Sequence, residues 1–181
     1  MSYVFELTLD PDAEAAIRAI WQRISDAGHP SSLDAQGYRP HISLAVYDTD
    51  HFDAHACYQN VAAYARRTTS FPIHLSHLGI FVHWGNVVFL GVTPSEMLLA
   101  RQQEVLALCR SQQEYLRPYY VPGLWTPHVT LSFQLTRQQT LEIAQMGWEM
   151  ALPFSGQVQA LHLIEVTPDT ARDIFTCEFT G

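Results

Sequence analysis

Two hexapeptides decide the fold: Arg39-Pro40-His41-Ile42-Ser43-Leu44 and Thr126-Pro127-His128-Val129-Thr130-Leu131. After its first residue, each runs Pro, His, aliphatic, hydroxyl, Leu. Successive side chains of an extended strand leave on opposite faces. His41 and Ser43 are therefore predicted to share one face, with Ile42, Leu44 and Val46 on the other. His128 pairs with Thr130 in the same way, against Val129 and Leu131. Pro40 and Pro127 offer no N–H to a ladder, so each belongs at a strand start, where a side chain reaches an open sheet end. One His-x-Ser/Thr triplet arises by chance, but two with the same flanks in matching places of a repeat point to a shared role.

The flanks supply that repeat. Before the first hexapeptide, Tyr3, Phe5, Leu7 and Leu9 alternate as a strand. Asp10 offers an N-cap, Pro11 the first helical position, and Ile17, Ile20, Trp21 and Ile24 follow at helical spacing until Gly28. A loop with Pro30, Ser31, Ser32 and Gly37 leads to the strand His41 to Tyr47. A second helical stretch is expected from Asp50, then one long strand from Phe71 to Val82. The order recurs: a strand over Val87 to Val92, Thr93-Pro94 in place of Asp10-Pro11, and a helix from about Ser95 to Leu116. A loop with Pro118, Tyr119, Tyr120, Pro122 and Gly123 follows, then the strand His128 to Phe133, a helix from about Thr136 to Gln145, and a strand near Val158 to Val166. Asp173 to Phe179 reads as a further strand without a counterpart. A shift of 83 residues superposes Leu7-Thr8-Leu9-Asp10-Pro11 on Leu90-Gly91-Val92-Thr93-Pro94, and a shift of 87 superposes the hexapeptides.

The expected fold is α+β: two pseudo-symmetric β-α-β-α-β lobes with antiparallel-rich sheets flanking a central cleft. We expect residues 1–181 to form one bilobal domain, lobe one spanning about 1–83 and lobe two about 84–181. Clefts at such junctions are where small-ligand sites form.

Composition bounds the function. The chain has 181 residues, 48% of them hydrophobic, which suffices for a core and excludes disordered and collagen-like classes. Only 15% are charged and the net charge is −8, which argues against binding long duplex nucleic acid, a task that uses many Lys and Arg. Three cysteines, Cys57, Cys109 and Cys177, stand far apart with no CxxC pair, and read as reduced packing residues of a cytoplasmic protein. No signal peptide or membrane span is evident. A monomer is the expectation.

Two facing imidazoles suit phosphodiester cleavage. The neutral one takes a proton from the attacking water or hydroxyl, and the protonated one gives a proton to the departing oxygen. An unperturbed pKa of about 6.5 lets histidine do either. Ser43 and Thr130 would donate hydrogen bonds to the non-bridging oxygens, where charge builds in the transition state. The scheme requires no metal and no cofactor.

The paired motifs, one per lobe, resemble the two-histidine (2H) phosphoesterase superfamily, and in particular its 2′-5′ RNA ligase-like branch, which is related to plant and yeast cyclic phosphodiesterases. The resemblance implies a bilobal α+β fold, with histidines facing across the cleft. It implies hydrolysis of 2′,3′-cyclic phosphates or 2′-5′ phosphodiesters of a small nucleotide or RNA end, or formation of 2′-5′ bonds by the reverse reaction. His41 and His128 carry over as acid and base in either order, and Ser43 and Thr130 as phosphate ligands. The first motif has Ser where the family more often has Thr; the hydroxyl is kept.

Tyr38, Tyr120 and Trp125, with Tyr119, stand near the motifs as candidates for stacking on a nucleobase. Arg39 adjoins the first histidine as a candidate phosphate contact. His51 and His55 are spaced i, i+4 for one helix face, without a third metal ligand. His74 and His77 fall on opposite strand faces, while His83, beside Trp84, and His162 read as structural. Arg66-Arg67 at a helix end complements the helix dipole. No GxSxG, Walker or GxGxxG element occurs. Two other readings stand beside the hydrolase: a nucleotide- or RNA-end-binding module, and a protein that uses the histidines as metal ligands.

Overall fold

The computed structural model describes residues 1–30, 33–82 and 85–181. Ser31 and Ser32, expected in a loop, and His83, expected to be structural, lie outside the described residues together with Trp84. Alternation and helical periodicity resolve into β1 (Ser2–Leu9), α1 (Pro11–Asp26), β2 (His41–Asp48), α2 (Ala54–Ala65) and β3 (Phe71–Phe81). The second repeat gives β4 (Val87–Val92), α3 (Glu96–Leu108), β5 (His128–Ser132), α4 (Arg137–Met146) and β6 (Phe154–Val166), with β7 (Ala171–Glu178) last. No helix of the described residues is long and apolar enough to cross a membrane.

Local chemistry sets several of the boundaries. Asp10 caps α1, its carboxylate accepting from the N–H groups of Asp12 and Ala13, and Pro11 starts the helix. Gly28, at φ +79°, takes the left-handed turn that releases the chain after α1. A capping box of Thr136 and Gln139 opens α4. Elsewhere a neighbouring residue takes the predicted role. The Asp53 side chain, accepting from Ala56 N–H at 2.9 Å, caps α2 in place of Asp50. His51 therefore precedes the helix, and the i, i+4 pairing with His55 does not form. Ser95 caps α3 in place of Thr93, and α3 ends at Leu108, the chain continuing as a 3₁₀ turn over Arg110–Tyr115.

All strand pairs are antiparallel within one seven-stranded sheet, in the order β2-β1-β6-β3-β4-β5, and β7 pairs with β6. Replacing each strand by its counterpart in the other repeat (β1 for β4, β2 for β5, β3 for β6) gives the same order read backwards. The third strand of each repeat thus completes the sheet of the other, and the pseudo-two-fold axis passes between β3 and β6. The helices follow the same exchange: α1 packs against β5, and α3 against β2. The sheet bends so that β2 and β5, at the two ends of the strand order, approach each other.

A matched pair of bulges shapes the cleft. Phe5 pairs with Ala45 and Glu6 with Ser43, leaving Leu44 unpaired; Val88 pairs with Ser132 and Phe89 with Thr130, leaving Leu131 unpaired. A bulge inverts alternation beyond it. Val46 accordingly faces the cleft with His41 and Ser43, rather than the core with Ile42 and Leu44 as alternation predicts. A third bulge, at Ser76, puts His74 and His77 on one face of β3 instead of two. Their Nδ1 atoms meet Ser155 Oγ at 2.8 Å and Ser76 Oγ at 2.9 Å.

The core lies between sheet and helices, with Phe5, Leu7, Ile17, Ile42, Leu44, Leu75, Leu90, Leu98 and Leu131 fully buried. Burying side chains of this size contributes roughly 1.5–3 kcal/mol each.

Candidate active site

His41 opens β2 and His128 opens β5, so the strand starts carry the imidazoles to the cleft. Both line one cavity of about 570 Å³, together with Ser43 and Thr130. The Nδ1 atom of His41 lies 2.7 Å from the Arg39 carbonyl, and that of His128 lies 2.7 Å from the Thr126 carbonyl. A carbonyl only accepts, so Nδ1 carries the proton in both neutral rings and Nε2 is left for chemistry. Burial pushes both imidazoles below the usual histidine range, and His41 further disfavours charge on His128.

The hydroxyl residues are anchored through their backbones. Ser43 and Thr130 sit on the end strands of the sheet order, whose outer carbonyls have no neighbouring strand to donate to them. The Trp125 indole donates to Ser43 O at 3.0 Å, and the Trp21 indole donates to Thr130 O at 3.0 Å. Each indole comes from the other repeat. The Gln102 amide donates to Leu44 O at 3.4 Å and to Tyr120 O at 2.5 Å, which fastens α3 to β2. Burial pushes the Tyr120 phenol, beside the Ser43 side chain, up to about 12.

The remaining candidates divide by position. Tyr38 lines the cavity and stacks on His41, centroids 5.8 Å apart at 26°. Tyr120 and Trp125 are buried in the wall. Arg39 lies outside the cavity lining, its guanidinium bound to Glu14 at 2.7 Å. Arg117, not singled out from the sequence, reaches the cavity and holds Asp48 bidentately at 2.7 and 2.9 Å. His128 is flanked by Phe81 and Phe89, centroids 5.0 and 5.1 Å away. On the other side, buried Glu6 places Oε2 at 3.5 Å from His41 Nδ1. Alternation of β1 puts Glu6 on the face of Val4 and Thr8, so its position was readable in the sequence. His162, read above as structural, lies beside Glu6 in the sheet, is 2% exposed, and meets Thr176 Oγ1 at 3.0 Å. Among the described residues, no three His, Cys, Asp or Glu side chains group to hold a metal ion.

A sequence profile described as the 2′-5′ RNA ligase superfamily matches residues 10–170. No curated protein sequence matches the chain. Among solved structures, TT0787 of Thermus thermophilus is similar over 100% of this chain and 99% of its own, at a TM-score of 0.64 and 17% identity. The E. coli LigT complexes with ATP and with 3′-AMP each cover 99% of this chain and 98% of their own at a TM-score of 0.63, with 16% and 17% identity. At these identities the likeness is one of fold.

Proposed function

This chain belongs to the 2′-5′ RNA ligase superfamily, whose members are two-histidine phosphoesterases, and on that footing we propose that it is a metal-independent phosphodiesterase. Its substrate is a 2′,3′-cyclic phosphate or 2′-5′ phosphodiester of a small nucleotide or RNA end. The observation that carries this reading is the matched hydrogen bonding of His41 and His128. Both rings are held at Nδ1 by a carbonyl two residues back, and both line one cavity with Ser43 and Thr130.

The chemistry follows from the groups present. A phosphate between the rings meets two Nε2 atoms. The neutral imidazole accepts a proton from water as its oxygen bonds to phosphorus. The imidazolium donates to the ribose oxygen as its bond to phosphorus breaks. The Ser43 and Thr130 hydroxyls donate to the non-bridging oxygens as their charge grows. The cavity volume falls in the roughly 300–1,000 Å³ range of small-ligand sites, and mononucleotides of the kind named with LigT, ATP and 3′-AMP, are of suitable size. An acidic chain with few Lys and Arg suits a small substrate better than a folded RNA, which favours hydrolysis over ligation. Three buried, unpaired cysteines support a reducing, cytoplasmic setting.

The test is a screen in EDTA of nucleoside 2′,3′-cyclic phosphates and 2′-5′ dinucleotides, with product regiochemistry read out. Turnover to a 2′- or 3′-monophosphate is expected. Binding without turnover of any of these substrates would replace the enzyme with a binding module. Activity abolished by chelation and restored by a divalent ion would overturn the metal-independent step.

A further inference from the structure

We propose that Glu6 is a positioning residue that holds His41 in its charged form, making His41 the general acid and His128 the general base. This assignment rests on the phosphodiesterase reading above. The two motifs are near copies, and so are the backbone bonds to their rings; the sheet around them is not. The register position beside Ser43 is Glu6, whereas the equivalent position beside Thr130 is Phe89. One histidine thus has a carboxylate as neighbour where the other has a phenyl ring, with Phe81 adding a second ring beside His128.

Glu6 is 2% exposed, and its Oε2 accepts no hydrogen bond among the described residues. A buried carboxylate oxygen without a donor is costly and calls for a partner. The nearest cationic candidate is His41, whose Nδ1 lies 3.5 Å away. Burial alone pushes the Glu6 carboxyl well up and the His41 imidazole down. At 3.5 Å each group ionises more readily beside the charged form of the other, which opposes the effect of burial on both. The other charged or titratable groups facing the pair are Asp173 of β7, which disfavours charge on Glu6; Arg39, which favours it; His162 of β6, neutral at pH 7 with a pKa of about 4; and Tyr38 and His128. Among the described residues nothing comparable supports a charge on His128, which burial and the positive form of His41 both keep neutral.

The step balances on this assignment. His128 Nε2 takes a proton from water, the oxygen bonds to phosphorus, the phosphorus–ribose oxygen bond breaks, and the His41 Nε2 proton passes to that oxygen. The net change is addition of one water, and solvent exchange returns the proton from His128 to the Glu6–His41 pair.

The experiment is an imidazole ¹⁵N NMR titration of the wild-type protein and of Glu6→Gln, beside pH profiles of nucleoside 2′,3′-cyclic phosphate hydrolysis. In the wild type, His41 should keep its second proton to higher pH than His128. Glu6→Gln should lower the His41 midpoint by about one to two pH units and leave His128 in place. The basic limb of kcat/KM should move down by the same amount with the acidic limb fixed. A purely structural role would lower activity without moving one limb alone. His128 titrating above His41, or a His41 midpoint unmoved by Glu6→Gln, overturns the proposal. The wild-type titration decides the order even if the variant fails to fold. It needs no turnover, so a protein with the expected order but no phosphodiesterase activity sinks the function above and leaves the Glu6–His41 pairing standing.

Discussion

His162 should make this fold acid-sensitive, in an amount that can be worked out. Its ring is buried between β1 and β7, with Nδ1 at 3.0 Å from Thr176 Oγ1 and 4.0 Å from Asp173. Burial and the nearby Arg39 charge depress its pKa to about 4, against about 6.5 for a free imidazole. The unfolded chain therefore binds this proton at higher pH than the fold does. The stability tied to a neutral His162 is complete above about pH 6.5 and is lost as the pH falls through the interval down to about 4. A difference of this size corresponds to about 3 kcal/mol. The perturbation is His162→Gln, which keeps a polar group and removes the titration. Urea unfolding of both proteins at pH 7 and pH 4.5 gives the comparison. The wild type should lose on the order of 2–3 kcal/mol more than the variant between these conditions. Equal losses in the two proteins would refute the depressed pKa and the packing that produces it.

Five further substitutions test the site and its supports. Trp125→Phe and Trp21→Phe each remove an indole donor from a carbonyl of a histidine strand. Each should destabilise by about 1–3 kcal/mol, a Tm loss of about 2–4 °C per kcal/mol for a chain of this size, read by calorimetry. Ser43→Ala and Thr130→Ala should each lower kcat by about 10²-fold with a smaller change in KM, because these donors strengthen their bonds as negative charge develops; a change confined to KM would assign them to ground-state binding. Asp10→Ala uncaps α1 and frees the Gln157 N–H that the same carboxylate holds. It should cost about 1–2 kcal/mol in chemical denaturation.

What could be read in the sequence was the part governed by local rules. Alternation put His41 with Ser43 and His128 with Thr130, and the cap at Asp10 follows from a side chain reaching its own helix N-terminus. Periodicity extended α3 too far because a 3₁₀ turn over Arg110–Tyr115 keeps nearly the same spacing of buried residues as a helix. Val46 was assigned to the wrong face because a bulge at Leu44 depends on the partner strand, β1, and leaves no mark in the strand that carries it. The exchange of β3 and β6 between the repeats depends on long-range pairing that no local pattern encodes. Side-chain destinations were the least readable: the two carboxylate oxygens of Glu14, shared between Arg18 and Arg39, decide where Arg39 points. Glu6 was legible in principle, as one carboxylate within an otherwise uncharged strand.

The most direct test of the central claim is to measure kcat/KM for nucleoside 2′,3′-cyclic phosphate hydrolysis in wild type, His41→Ala, His128→Ala and the double variant, with circular dichroism confirming the fold of each. Histidines that act as one acid–base pair predict a loss of about 10²–10⁴-fold for each single variant, and a double variant little worse than either single one. Wild-type turnover by either folded single variant would contradict the account.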